Sequence, residues 1–164
     1  MPASADSFAP YLTSIEEDYR TGRATEHTYR AALQSLLQSL LPGSKATNEP
    51  KRVACGAPDY IITSSRGNNT FTLGYVEAKD VGADLEGIER DSNRAEPTTR
   101  EGKQLKRYRQ ALPNLVFTDY LEFRWYTDGT RRSIAQLASA GQGTHHRGIR
   151  AATERLAAQG GGYI

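Results

Sequence analysis

Apolar positions recur at helical spacing most clearly over residues 26–40, where Tyr29, Ala32, Leu33, Leu36, Leu37 and Leu40 fall on one face. Thr25 suits the N-cap of this helix, and Leu41-Pro42-Gly43 stops it. A weaker stripe of Tyr11, Leu12, Ile15 and Tyr19 suggests a short amphipathic helix within residues 1–24, where Pro2, Pro10 and Gly22 break any longer period. The period then shortens. Residues 59–63 and 71–79 are rich in β-branched and aromatic side chains, and Arg66-Gly67-Asn68-Asn69 between them is turn chemistry, which predicts a β-hairpin. Strict alternation along its second strand would put Phe71, Leu73, Tyr75, Glu77 and Lys79 on one face.

Residues 80–100 combine charge with Gly82, Gly87 and Pro97 and read as a loop or broken helix. A helix follows over residues 101–112, with Leu105, Tyr108, Ala111 and Leu112 on one side and Pro113 ending it. Residues 115–117 and 121–126 are two further strands, with Asp128-Gly129 as the next turn. The tail contains Gly141, Gly143, His145, His146 and Gly148, then a candidate helix over residues 150–159. The order αββαββ plus a tail predicts a mixed α/β (α+β) domain, a central sheet flanked by helices.

A length of 164 residues with 37% apolar side chains supports one core and one domain. The single cysteine, Cys55, excludes a disulfide framework and all-cysteine zinc sites and fits a reducing cytoplasm; it reads as a small buried side chain. No apolar run reaches roughly 18 residues, and the N-terminus carries Asp6, Glu16, Glu17 and Asp18, so neither a membrane span nor a signal peptide is expected.

The net charge of +2 by itself does not suggest a nucleic-acid-coating protein, but the charges are segregated. Residues 77–89 hold five acidic side chains against one basic, a local charge of −4. Residues 90–110 hold seven basic against three acidic, and residues 131–164 five against one, each a local +4. An acidic centre between basic flanks is a suitable polarity for metal-assisted chemistry on a polyanion.

The candidate centre is Asp59 with Glu77 and Lys79. A hairpin symmetric about Gly67-Asn68 sets residue 59 opposite residue 76 or 77, and opposed side chains have Cβ atoms roughly 4.5–5.5 Å apart. Two facing carboxylates repel unless a cation joins them, and an all-oxygen donor set favours Mg²⁺ or Mn²⁺ over zinc. Lys79 would bring an ammonium to the same face, and Glu26 at the head of the helical stripe could complete the donor set. Each residue also has a plain structural reading. Glu77 and Lys79 would suit a solvated strand face, Asp59 a turn after Pro58, and Glu26 a helix start paired with Arg30 at i+4. His145 and His146 lie in a glycine-rich stretch and read as loop, while Phe117, Phe123 and Trp125 read as sheet core.

Pro58-Asp59, then Glu77-Ala78-Lys79, then a helix carrying Gln104 and Tyr108 resemble the PD-(D/E)XK nuclease superfamily. More narrowly, Thr25-Glu26-His27-Thr28-Tyr29-Arg30, Gly56-Ala57-Pro58-Asp59, the segment 74–80, Gln104-Leu105-Lys106-Arg107-Tyr108 and the segment 115–120 resemble the N-terminal nuclease portion of large single-chain restriction-modification enzymes. The resemblance covers about residues 24–127, with 25–130 as the nuclease core, 1–24 as an N-terminal segment and 131–164 as a basic tail leading to an absent downstream domain. It implies a mixed four- to five-stranded sheet flanked by helices in an αβββαβ-like core. It also implies Mg²⁺-dependent hydrolysis of DNA phosphodiesters, with Mn²⁺ as a substitute. Asp59 and Glu77 would hold the metal, with the Ala78 carbonyl and Glu26 as further donors. Lys79 would handle the water and the scissile phosphate, Gln104 would hold Lys79 or the phosphate, and Tyr108 would buttress it. Arg100, Lys103, Lys106, Arg107 and Tyr108 would contact double-stranded DNA. The implied partners are the methyltransferase and target-recognition domains of a parent enzyme, and a transient dimer for cutting both strands. No Asn-Pro-Pro-Tyr methyltransferase motif occurs, so the chain reads as the nuclease module alone. A noncatalytic DNA-binding or scaffolding domain, or a hydrolase acting on RNA or nucleotides, stays open as an alternative.

Overall fold

The structure, a computed structural model, describes residues 8–141 and 148–151. Helix α1 (Phe8–Arg20) buries Tyr11 and Ile15, as its apolar stripe predicts. The next helix begins as a 3-10 turn (Glu26–Tyr29) before continuing as α2 (Arg30–Leu40), with Leu33, Leu36 and Leu37 buried. The tight first turn is held from outside: the Glu26 amide donates to Asp80 Oδ1 at 2.9 Å and the Thr25 amide to the Thr28 hydroxyl at 3.0 Å.

Six strands form the main sheet in the order β1 (Ser44–Asn48), β2 (Tyr60–Arg66), β3 (Asn69–Ala78), β4 (Asn114–Thr118), β5 (Glu122–Thr127) and β6 (Thr130–Gln136). Only β3 and β4 run parallel. A parallel pair needs a crossover, and α3 (Leu85–Ser92) and α4 (Arg100–Ala111) supply it. Helix α3 thus lies within the stretch that reads as loop or broken helix.

The mixed architecture is as expected, but the sheet is wider than four or five strands. Strand β1 lies in a polar linker because only Ala46 of its five residues is buried. Strand β6 lies at the start of the expected tail; every one of its side chains is exposed, so it carries no hydrophobic signature and is held by pairing with β5. A small hairpin of β7 (Ala138–Ala140) and β8 (Ile149–Ala151) follows, so residues 150 and 151 are strand where a helix was expected to begin. The remainder of that expected helix, and His145 and His146, lie outside the described residues.

Helices α1 and α2 cover one face of the sheet, in a core with Tyr29, Tyr60, Ile62, Val76, Ala78, Tyr120 and Leu121. On the other face Leu85, Leu105, Tyr108 and Leu112 pack on Leu115, Phe117 and Tyr126. Truncating a fully buried leucine such as Leu33 or Leu105 to alanine is expected to cost about 2–5 kcal/mol. Phe117 is core, as expected, and Phe123 packs against the core from its edge. Trp125 is not core: it is 43% exposed and its indole N–H donates to Asn114 Oδ1 at 2.6 Å. Cys55 is half-buried.

The β2–β3 register shifts by one residue between Ile62 and Thr63. Beyond the shift Tyr60 faces Val76, which sets Asp59 beside Glu77 and settles the ambiguity left by a symmetric hairpin. The extra residue also breaks the alternation along β3. Phe71 pairs with Ser64, on the Tyr60 face, opposite to Tyr75 and Glu77, so the single apolar row expected from Phe71 to Lys79 does not exist.

Two polar assemblies fix α3 and α4. Asp91 at the end of α3 accepts hydrogen bonds from the amides and hydroxyls of both Thr98 and Thr99, stapling the loop to the start of α4. Its carboxylate lies where a Cβ on Gly102 would be, 2.1 Å from Oδ2, so only glycine fits there. Arg124, 3% exposed in β5, binds Glu89 at 2.5 Å and Glu86 at 2.9 Å on α3, and Glu122 at 2.6 Å. Among the described residues no helix is long and apolar enough to cross a membrane.

Candidate active site

The C-terminal end of β3 carries Glu77 and Lys79 to a cleft of about 420 Å³ whose lining also includes Glu26, Asp59, Asp80, Arg100 and Gln104. Four separate segments therefore converge: the turn before α2, the residue preceding β2, the end of β3 and the first turns of α4. The five residues expected to carry the chemistry, Glu26, Asp59, Glu77, Lys79 and Gln104, all line this one cleft.

Asp59 is held at both oxygens. Oδ2 accepts the Ala78 amide at 2.8 Å, and Oδ1 lies 2.7 Å from Arg30 Nη2. Burial pushes its carboxyl above the ordinary range, assisted by the charge of Glu26 and opposed by the Ala78 amide, Arg30 and Lys79. Ala78 itself is fully buried at the end of its strand. Glu77 is 4% exposed. Its Oε1 takes the Lys79 ammonium at 2.9 Å, whereas its buried Oε2 has no hydrogen-bond partner among the described residues. Burial first, and then the negative charge of Asp59, push Glu77 up to about 7, against the pull of Lys79.

Gln104 Oε1 accepts a second bond from Lys79 Nζ at 2.8 Å, so the ammonium is fixed between β3 and α4. Gln104 Nε2 points to the Tyr108 hydroxyl, 3.4 Å away. Tyr108, expected to contact DNA, is 1% exposed and stands behind Gln104. The close approach of Gly56, where a Cβ would come within 2.9 Å of the Tyr108 hydroxyl, seats the ring from the other side.

The other expected contact residues divide. Arg100 and Lys103 are exposed on the first turn of α4, and Arg100 lines the cleft. Lys106 is engaged within the molecule, its ammonium donating to the carbonyls of Arg94 at 2.7 Å and Ala95 at 2.6 Å. Arg107 is exposed, but its Nε donates to the Cys55 carbonyl at 2.6 Å and its guanidinium lies over the Tyr108 ring.

Three residues of this site are absent from the sequence-based set. Arg30, read only as a partner for Glu26, pairs with both Glu26 and Asp59. Glu49 reaches Arg30 Nη1 at 2.7 Å, and Asp80 anchors the Glu26 amide. Asp80 directly follows Lys79, which is a signal of sorts. Glu49 lies in the linker after β1 and carries none.

Among the described residues, no three His, Cys, Asp or Glu side chains already converge as a cation cage. Arg30 and Lys79 instead hold one oxygen each of Asp59 and Glu77. The donor set nevertheless suits a hard divalent cation, because Asp59, Glu77 and Glu26 offer only carboxylate oxygen. The unpartnered Glu77 Oε2, on a carboxylate whose charged form is disfavoured, is the kind of group a cation would satisfy.

No protein-family model matches the chain, and no curated protein matches it. Solved structures do. One is the complex of DrdV with DNA determined by cryo-electron microscopy, which aligns with a TM-score of 0.56 and 21% identity over 81% of this chain. The chain spans 12% of the length of that neighbour. At this identity the likeness establishes the fold.

Proposed function

We propose that this chain is a metal-dependent endodeoxyribonuclease module of the PD-(D/E)XK type, hydrolysing DNA phosphodiester bonds as the cleavage part of a restriction-modification enzyme. The observation that carries the proposal is the convergence of Glu26, Asp59, Glu77, Lys79 and Gln104 in one cleft, with one oxygen of Glu77 buried and unpartnered among the described residues. The fold neighbour is in complex with DNA, which supports DNA as the substrate class.

Asp59 and Glu77 would hold Mg²⁺, or Mn²⁺ in its place, with the Ala78 carbonyl and Glu26 as further donors. When bound, Mg²⁺ supplies charge neutralisation and Lewis-acid polarisation at a phosphate oxygen. Lys79 is fixed by Glu77 and Gln104, at 2.9 and 2.8 Å, so two of its three ammonium hydrogens are committed and the third is free for the attacking water or a non-bridging phosphate oxygen. A cation set in place before the reaction lowers the barrier more than one that must reorganise as charge builds on phosphorus. Gln104 and Tyr108 provide that rigidity. Arg100 and Lys103 on the rim would hold the flanking phosphates.

A noncatalytic DNA-binding domain is the second reading, and the pairing of Asp59 with Arg30 and of Glu77 with Lys79 favours it, because the carboxylates have cationic partners without metal. Incubation of supercoiled plasmid with the wild-type chain and with Glu77→Ala, in Mg²⁺ and in EDTA, separates the two. The nuclease reading expects nicked or linear product only from wild type with Mg²⁺. Equal cutting by both proteins, or cutting unaffected by EDTA, contradicts it.

A further inference from the structure

Arg30 is 7% exposed, yet four acceptors from three segments surround its guanidinium. Nη2 lies 2.8 Å from Glu26 Oε1 and 2.7 Å from Asp59 Oδ1; Nη1 lies 2.7 Å from Glu49 Oε1 and 3.3 Å from Asn48 Oδ1. The residue is itself anchored, since the Tyr60 hydroxyl donates to its carbonyl at 2.8 Å. Only Nε lacks a partner among the described residues. Glu49 reaches the group from a left-handed backbone (φ 49°), a conformation a glutamate adopts only under constraint, and its amide donates to the Asp59 carbonyl at 2.8 Å.

We propose that Arg30 is a positioning residue for the cation site, a clamp whose planar fork sets the directions of the Asp59 and Glu26 carboxylates. The inference rests on the metal reading of the cleft given above. A lysine would not substitute, because an ammonium is a point charge and the four acceptors here are divided between the two ends of a rigid fork. The strained Glu49 backbone follows from the same arrangement, since it brings the third carboxylate to the Nη1 end. Arg30 is not among the residues that line the cleft. It acts through the two carboxylates it orients.

Two measurements on the full chain test the clamp. The first is a double-mutant cycle in EDTA, with Arg30→Met, Asp59→Asn and the double variant compared by urea unfolding. The clamp predicts clear non-additivity, and additive losses overturn it. The second is calorimetric titration with Mn²⁺ alone, comparing wild type, Arg30→Lys and Glu49→Gln. Arg30→Lys keeps the charge, so a change in affinity reports geometry; the expected loss is about 10–100-fold. Glu49→Gln removes a solvent-facing anchor and keeps the core intact, with an expected loss of about two- to fivefold. Wild-type affinity in both variants overturns the clamp. Coupling in the cycle together with no Mn²⁺ binding by wild type supports the clamp and overturns the metal reading instead.

Discussion

Gly56 offers a test of how the site is buttressed, because its replacement by alanine perturbs Lys79 through a defined chain of contacts. The residue has φ 138°, a region that L-residues rarely adopt, and an added Cβ would lie 2.9 Å from the Tyr108 hydroxyl and 3.0 Å from its Cε1. Tyr108 cannot retreat: it is 1% exposed and packed among Leu105, Leu112, Leu115 and Phe117. The expected cost has two parts. Backbone strain at such a φ amounts to about 1–3 kcal/mol, and overpacking a closed site adds about 1–3 kcal/mol, for a total of about 2–6 kcal/mol. Gly67 provides the control, since it also has positive φ (59°) but nothing lies within 4 Å of its added Cβ. Gly67→Ala should therefore cost only the strain, about 1–2 kcal/mol. Urea unfolding of the two variants, followed by circular dichroism, measures the difference. In parallel, Gly56→Ala should lower Mg²⁺-dependent cleavage, because displacing Tyr108 releases Gln104 and, with it, Lys79. Equal destabilisation by the two alanines would refute the packing argument, and unaltered cleavage would refute the relay.

Further expectations follow from the same contacts. Arg124→Met leaves Glu89 buried with Arg131 as its remaining ion-pair partner among the described residues and should destabilise the fold by about 3–5 kcal/mol in urea unfolding, the cost of breaking a buried pair; a loss below about 1 kcal/mol would contradict it. Hydrogen bonds from Thr98 and Thr99 hold the Asp91 carboxyl well below the usual carboxylate range. Its contribution is thus present above the unfolded value of about 4 and lost as pH falls below it, so Asp91→Asn should flatten the acid limb of a stability-against-pH curve. In DNA binding measured against salt, Arg100→Ala and Lys103→Ala should each reduce the slope by about one. Lys106→Ala should change it less, since that ammonium is held by the Arg94 and Ala95 carbonyls.

Much of the fold was legible because burial and period coincide. The α2 stripe is continuous, and β2 to β5 present β-branched and aromatic runs that cores require. Strands β1 and β6 were illegible for the opposite reason, since one buries a single alanine and the other buries nothing; pairing alone makes them strands. The register shift at Ile62/Thr63 has no local signature strong enough to read, yet it places Glu77 beside Asp59. For the site, the motif spacing located the cleft residues, but not how they are held. Lys106 and Tyr108 illustrate the limit: both sit on a basic-looking helix, and only the packing shows that one is tied to carbonyls and the other buried. Arg30 looked like half of an i,i+4 pair, and its link to Glu49 depends on β1, which the sequence did not reveal.

The proposed role of Lys79, a fixed ammonium in a metal-dependent nuclease centre, is decided by single-turnover cleavage of a duplex oligonucleotide in Mg²⁺ by wild type and Lys79→Ala, with DNA affinity measured on the same samples. Lys79→Ala should cut about 10²–10³-fold more slowly at unchanged DNA affinity. Equal rates for the two proteins would contradict it.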